Sequence, residues 1–219
     1  MAAPSLPAPM TTGRRPAVPG EARRWPWATA TLTLLLLAAT QPDLAAAWRF
    51  DRAAIAHGEG WRVYTGNLVH FGVGHLAWNL VILLVAGVWL ERLRPIAARV
   101  MLLTTPAVVG VTLWWFRPEL ALYAGFSGVG TGLAALLALA YVQRSGAERV
   151  WGGMLLALML IKTGLEFGGR GALFAQFDAA EVRVEPVAHV AGLAWAGLLA
   201  AVAAGWQRSQ GLRRTEPRS

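Results

Sequence analysis

From Val69 to Leu90 the chain reads VHFGVGHLAWNLVILLVAGVWL, an apolar run without one Lys, Arg, Asp or Glu that nevertheless carries His70, His75 and Asn79. An α-helix needs roughly 20 apolar residues to cross a hydrocarbon layer roughly 30 Å thick, and this run is long enough. Five more runs of the same character lie near 27–47, 97–116, 125–142, 150–168 and 187–206. Lipid offers no partner to backbone N–H and C=O groups, so each run must satisfy its own as a helix. The alternation of a membrane β-barrel strand, repeated over about ten residues, is missing. The sequence therefore predicts an all-α polytopic membrane protein, a bundle of six transmembrane helices over 27–206. A composition of 56% hydrophobic and 15% charged residues, with mean hydropathy +0.46, agrees.

The net charge of +8 and the pI near 11.3 raise the question of a nucleic-acid partner. The positions of the charges answer it. Arginines gather in residues 1–26 (Arg14, Arg15, Arg23, Arg24), 91–99 (Arg92, Arg94, Arg99), 143–150 (Arg144, Arg149) and 207–219 (Arg208, Arg213, Arg214, Arg218). The alternate connections, 43–68, 117–124 and 169–186, are neutral or slightly acidic, the last holding Arg170 and Arg183 against Asp178, Glu181 and Glu185. By the positive-inside rule both termini face the cytoplasm and the long first connection faces the outside. The Pro-, Ala- and Arg-rich residues 1–26 read as a disordered basic cytoplasmic tail, and 207–219 as a second basic tail. A cleaved secretory signal is the competing reading of the N-terminal part, but a cut after Ala45–Ala47 would leave five spans of six. Topology explains the basic charge with no nucleic acid. The chain has no cysteine, which removes a disulfide framework, a thiolate metal site and a cysteine nucleophile.

Polar groups inside spans are costly and hence functional candidates. His75 and Asn79 are four apart, so a helix projects them from one face, as an anion site requires; interhelical hydrogen bonding is the plainer alternative. Ser127 sits in Gly125-Phe126-Ser127-Gly128 at the start of an apolar helix, where N–H groups favour a developing negative charge. A serine between glycines is also a common packing residue or cap. His189 lies among Ala188, Gly192 and Ala196, a small-residue stripe that permits tight helix contact, and Gly128 and Gly132 offer a matching surface on the Ser127 helix. Packing of those stripes would bring hydroxyl and imidazole within hydrogen-bond reach, the activation a serine nucleophile needs. Lys162 and Glu166, one turn apart in the fifth run, read as a mutually compensated ion pair. A zinc protease would need H-E-x-x-H, which His70 and His75 do not form, and an aspartyl protease would need two intramembrane carboxylates. No metal and no cofactor is expected.

The set of motifs resembles the rhomboid intramembrane serine proteases over roughly 27–206: Trp61-Arg62 in the first connection, His70, His75 and Asn79, Gly125-Phe126-Ser127-Gly128, and Ala188-His189-Val190-Ala191-Gly192. The resemblance implies a Ser127–His189 catalytic dyad without an aspartate. It also implies an oxyanion site of His75, Asn79 and the Ser127 N–H, with His70, Gly125 and Gly128 in support. Acyl transfer on single-span membrane proteins would follow, in a cavity opening to the periplasmic or external face of a bacterial inner membrane. At a finer level the Glu59–His70 segment, the Lys162/Glu166 pair and Val184-Glu185-Pro186-Val187-Ala188-His189 resemble rhombosortases, which are thought to process C-terminal Gly-Gly sorting anchors. Gly130 and Thr131, after the nucleophile, depart from the pattern. Two other classes stay open. One is an inactive rhomboid-like protein that binds transmembrane helices, against which stands the presence of both Ser127 and His189. The other is a small transporter, which would want inverted repeats or a charged path.

Overall fold

The computed structural model describes residues 25–168 and 185–215. The N-terminal tail through residue 24, the acidic connection with Arg170, Asp178, Glu181 and Arg183, and residues 216–219 lie outside the described residues.

In chain order the elements are α1 (Trp27–Ala38), α2 (Pro42–Trp48), β1 (Phe50–Asp51), α3 (Arg52–Ala56), α4 (Arg62–Thr65) and, after a 3-10 turn at Gly66–Leu68, α5 (Val73–Ile82). A π-helical segment, Leu83–Gly87, joins α5 to α6 (Val88–Leu93), so that Val73–Leu93 is one continuous apolar helix. Then follow α7 (Pro95–Phe116), β2 (Leu122–Tyr123), α8 (Ser127–Val142), α9 (Gly146–Phe167) and α10 (Pro186–Thr215). Each of the six apolar runs is helical. Four helices among the described residues are long and apolar enough to cross a membrane: Val73–Leu93, Pro95–Phe116, Gly146–Phe167 and Pro186–Ser209.

Two helices differ from the sequence expectation. The run 27–47 is not one straight span, because α1 and α2 meet at 110°. Thr40 and Gln41 interrupt the apolar run, and Pro42 takes the first turn of a new helix, where its missing N–H costs nothing. At the other end, α10 runs on through Thr215, past the expected boundary at 206.

α8 is the core of the bundle, packed against α7, α9 and α10 and the α5–α6 helix. Leu133 and Ala138 are fully buried in it. The outer surfaces of α9 and α10 instead carry exposed Trp151, Leu160, Val202 and Trp206, the composition of a lipid-facing wall.

Contacts sort the connections into two ends. At one end the Glu91 carboxylate, 1% exposed, accepts from the Ala28 N–H (3.2 Å) and the Thr29 N–H and Oγ (3.0 Å each), and Arg99 Nε donates to it at 3.2 Å. A carboxylate there answers orphan N–H groups and the positive end of the α1 dipole together. Arg94 reaches Gln143 at that same end (3.4 Å). At the opposite end Arg52 donates to the carbonyls of Leu113, Trp114, Arg117 and Leu120, capping the C-terminus of α7 while its guanidinium lies over the Trp114 ring. There β1 pairs antiparallel with β2, Phe50 opposite Tyr123, and Arg117 bonds Glu185. Arg62 adds bonds to Glu59 (2.7 Å) and to the Ala46 (2.7 Å) and Arg49 (3.0 Å) carbonyls; the neighbouring Trp61 Nε1–H donates to Ala47 at 3.3 Å. Among the described residues, the arginine-rich connections 91–99 and 143–150 thus share one end, and the connections 43–68 and 117–124 share the other with Glu185.

Candidate active site

Ser127 is the first residue of α8, at the end that Arg52 and the β1–β2 pair close. Gly125 leads into it with φ +150°, a conformation that L side chains rarely adopt. A methyl group there would also lie 2.7 Å from Cε1 of His75, so the histidine ring rests directly on the backbone ahead of the serine. Tyr123, buried beside it, donates its hydroxyl to the Gly125 carbonyl at 2.8 Å. Burial pushes the Tyr123 phenol above its ordinary range, and the Ser127 hydroxyl is a further hydrogen-bonding neighbour.

His189 is brought to Ser127 by backbone-on-backbone packing. A Cβ on Gly192 would sit 2.0 Å from the Gly128 carbonyl oxygen; one on Gly128 would sit 2.7 Å from the Ala188 oxygen, and one on Gly132 2.6 Å from the Gly192 oxygen. Only glycine tolerates such separations, and the two stripes read from the sequence do face each other. One turn along the seam, His189 Nε2 is 3.0 Å from Ser127 Oγ, and the imidazole is buried. A nucleophile-and-base pair at this distance is competent for acyl transfer.

The carboxylate side goes further than the sequence reading. Lys162 Nζ does bond Glu166 Oε1, at 2.6 Å, but the other oxygen, Oε2, is 2.7 Å from His189 Nδ1. The expected Lys162–Glu166 pair is present, and the structure adds a contact that the spacing along α9 did not show: the same carboxylate meets the histidine of α10.

The remaining expected residues gather nearby. His75 and Asn79 are buried on α5, with Asn79 Nδ2 donating to the His75 carbonyl at 3.0 Å. That leaves one of its two amide protons for another acceptor. His70 meets the His75 ring edge-on at 5.0 Å between centroids. Glu185, ahead of α10, is bound by Arg117 and accepts from the Val187 N–H at 3.2 Å. Burial raises the Glu185 carboxyl above its ordinary range, the nearby guanidinium opposing it. Arg117 is itself raised, chiefly by its hydrogen bond to Glu119. Among the described residues, no group of three or more His, Cys, Asp or Glu could hold a metal ion.

Two participants went unread in the sequence. Glu166 had a satisfying partner one turn away, which hid its second contact. Tyr123 had a signal, a tyrosine just ahead of Gly125-Phe126-Ser127, but nothing to separate it from an interfacial aromatic.

Comparison with known proteins places the chain in a family. The chain is 31% identical over 168 residues to "Rhomboid protease GluP" of Bacillus subtilis (strain 168), an overlap of 71% of this chain but 33% of that protein, so the chain spans about a third of the relative's length. Residues 57–207, which contain the serine, both buried histidines of its environment and the carboxylate, match the Rhomboid domain, and the chain belongs to that family of membrane proteins.

Proposed function

We propose that the chain is an intramembrane serine endopeptidase, with Ser127 as nucleophile and His189 as general base. The observation that carries this is the 3.0 Å approach of His189 Nε2 to Ser127 Oγ, at the N-terminus of a buried helix. Ser127 Oγ attacks the scissile carbonyl carbon as His189 Nε2 takes its proton; the carbonyl electron pair moves to oxygen. The proton then passes to the leaving amine, and water repeats the sequence on the acyl-enzyme. His75, the second Asn79 amide proton and the Ser127 N–H are the oxyanion donors, each of which typically contributes about 10²–10³ in rate.

The substrates are single-span membrane proteins, and the finer reading is the rhombosortase one, C-terminal sorting anchors with a Gly-Gly motif. The arginine-rich end of the bundle faces the cytoplasm of a bacterial inner membrane, and the serine end opens outward.

The test is cleavage in detergent or membranes of a single-span reporter ending in a Gly-Gly-type anchor, beside an ordinary N-out reporter. Wild type is expected to cut the first, and folded Ser127→Ala and His189→Ala to be silent. Cutting only of the ordinary reporter removes the sorting-anchor subtype. Folded wild type that cuts neither overturns the protease assignment and favours a helix-binding rhomboid-like protein.

A further inference from the structure

We propose that Glu166 is the positioning residue of the base: its carboxylate holds His189 with the proton on Nδ1 and the lone pair of Nε2 turned to Ser127. The proposal rests on the protease reading above.

The Nε2 nitrogen can accept the serine proton only if the neutral imidazole carries its hydrogen on Nδ1. The group facing Nδ1 decides this. Glu166 Oε2 lies there at 2.7 Å, and both side chains are almost wholly shielded, 2% exposed for Glu166 and 3% for His189. With the other tautomer, a nitrogen lone pair would point at a carboxylate oxygen at hydrogen-bonding distance, which is repulsive in a site that water does not screen. Lys162 Nζ also lies near Nδ1, but at 3.5 Å, and its shorter bond is to Glu166 Oε1 at 2.6 Å. Each carboxylate oxygen thus has its own partner, and the group cannot rotate without losing one.

The same geometry favours the transfer. When Ser127 Oγ bonds to the substrate carbonyl, its proton moves to Nε2 and the ring becomes imidazolium, while the Nδ1 hydrogen stays in place. The carboxylate at 2.7 Å attracts that charge more than the ammonium at 3.5 Å repels it, whatever common dielectric applies. A pair serving only the surface of α9 would need neither the inward orientation nor the contact with α10. Most of α9 is exposed, and its buried side-chain positions are Thr163 and Glu166, on the turn that faces His189.

The experiment uses the full chain in detergent. It measures the rate at which a fluorophosphonate labels Ser127, together with kcat and KM on the cleaved reporter. Glu166→Gln is expected to slow labelling and kcat by at least about 100-fold, since an amide can present N–H to Nδ1 and select the wrong tautomer. KM should stay within about threefold, as for a group acting on the base and not on substrate binding. Glu166→Asp should recover at least about tenfold of the loss. The double variant Lys162→Met/Glu166→Gln leaves no bare charge and should be as slow as Glu166→Gln. Folded Glu166→Gln or double variant labelling within about threefold of wild type overturns the proposal. Where Glu166→Gln does not fold, the folded double variant decides by the same threshold. Absence of labelling in folded wild type would instead strike the protease reading.

Discussion

α8 and α9 are neighbours, yet they are held in place by opposite means. α8 has no charged residue, is buried along most of its length and meets α10 through glycine backbones, with a would-be Gly192 Cβ only 2.0 Å from the Gly128 oxygen. α9 is mostly exposed and turns inward at two places: Gly152, where a Cβ would lie 2.6 Å from the Val142 nitrogen, and the turn with Thr163 and Glu166. In a bilayer, burial of apolar surface does not drive helices together, so a helix is fixed either by close packing or by polar bonds. Ser127 rides on the first kind of helix and Glu166 on the second. Ser127 is thus placed by sterics, and the carboxylate that meets His189 by polar bonds.

The contrast can be broken from the steric side. Gly192→Ala forces a methyl into the Gly128 carbonyl, and the two helices must part; we expect folded, monodisperse yield to fall more than about tenfold, with loss of Ser127 labelling. Wild-type yield and labelling would mean that the seam is not the determinant. The electrostatic side should respond less. Lys162→Ala strands the Glu166 carboxylate without its ammonium partner, whereas Glu166→Gln leaves a lysine that is 14% exposed and can extend toward a polar boundary. We expect folded yield to drop several-fold for Lys162→Ala and less for Glu166→Gln, measured by fluorescence-detected gel filtration; equal yields count against the pair. The smallest effect belongs to Gly153→Ala on α9, where nothing lies within 4 Å of the added methyl. Its thermal midpoint should equal or slightly exceed wild type, by about 0.4–1 kcal/mol of stability at most. A clear loss there would show that α9 packs more closely than its open face suggests.

What the sequence made legible follows the same division. The small-residue stripes at Gly128, Gly132, Ala188 and Gly192 announced the α8–α10 contact, because close packing constrains residue size at fixed spacing. Apolar length announced the helices, and the arginines sorted the connections. The bend before Pro42 was also in the letters: Thr40, Gln41 and a proline are stop and start signals within the apolar run. Glu166 was the harder case. An i, i+4 partner satisfies one carboxylate oxygen and makes the pair look complete, whereas the second oxygen faces a residue on another helix. Spacing along one helix carries no information about a contact across two.

The three polar members of the centre stand on successive helices: Ser127 on α8, Glu166 on α9 and His189 on α10. A polypeptide leaving the ribosome therefore acquires them in the order hydroxyl, carboxylate, imidazole. Until α10 is in place, Ser127 lacks the imidazole of His189 beside its hydroxyl. On the protease reading proposed above, the centre is armed only when α10 packs against α8.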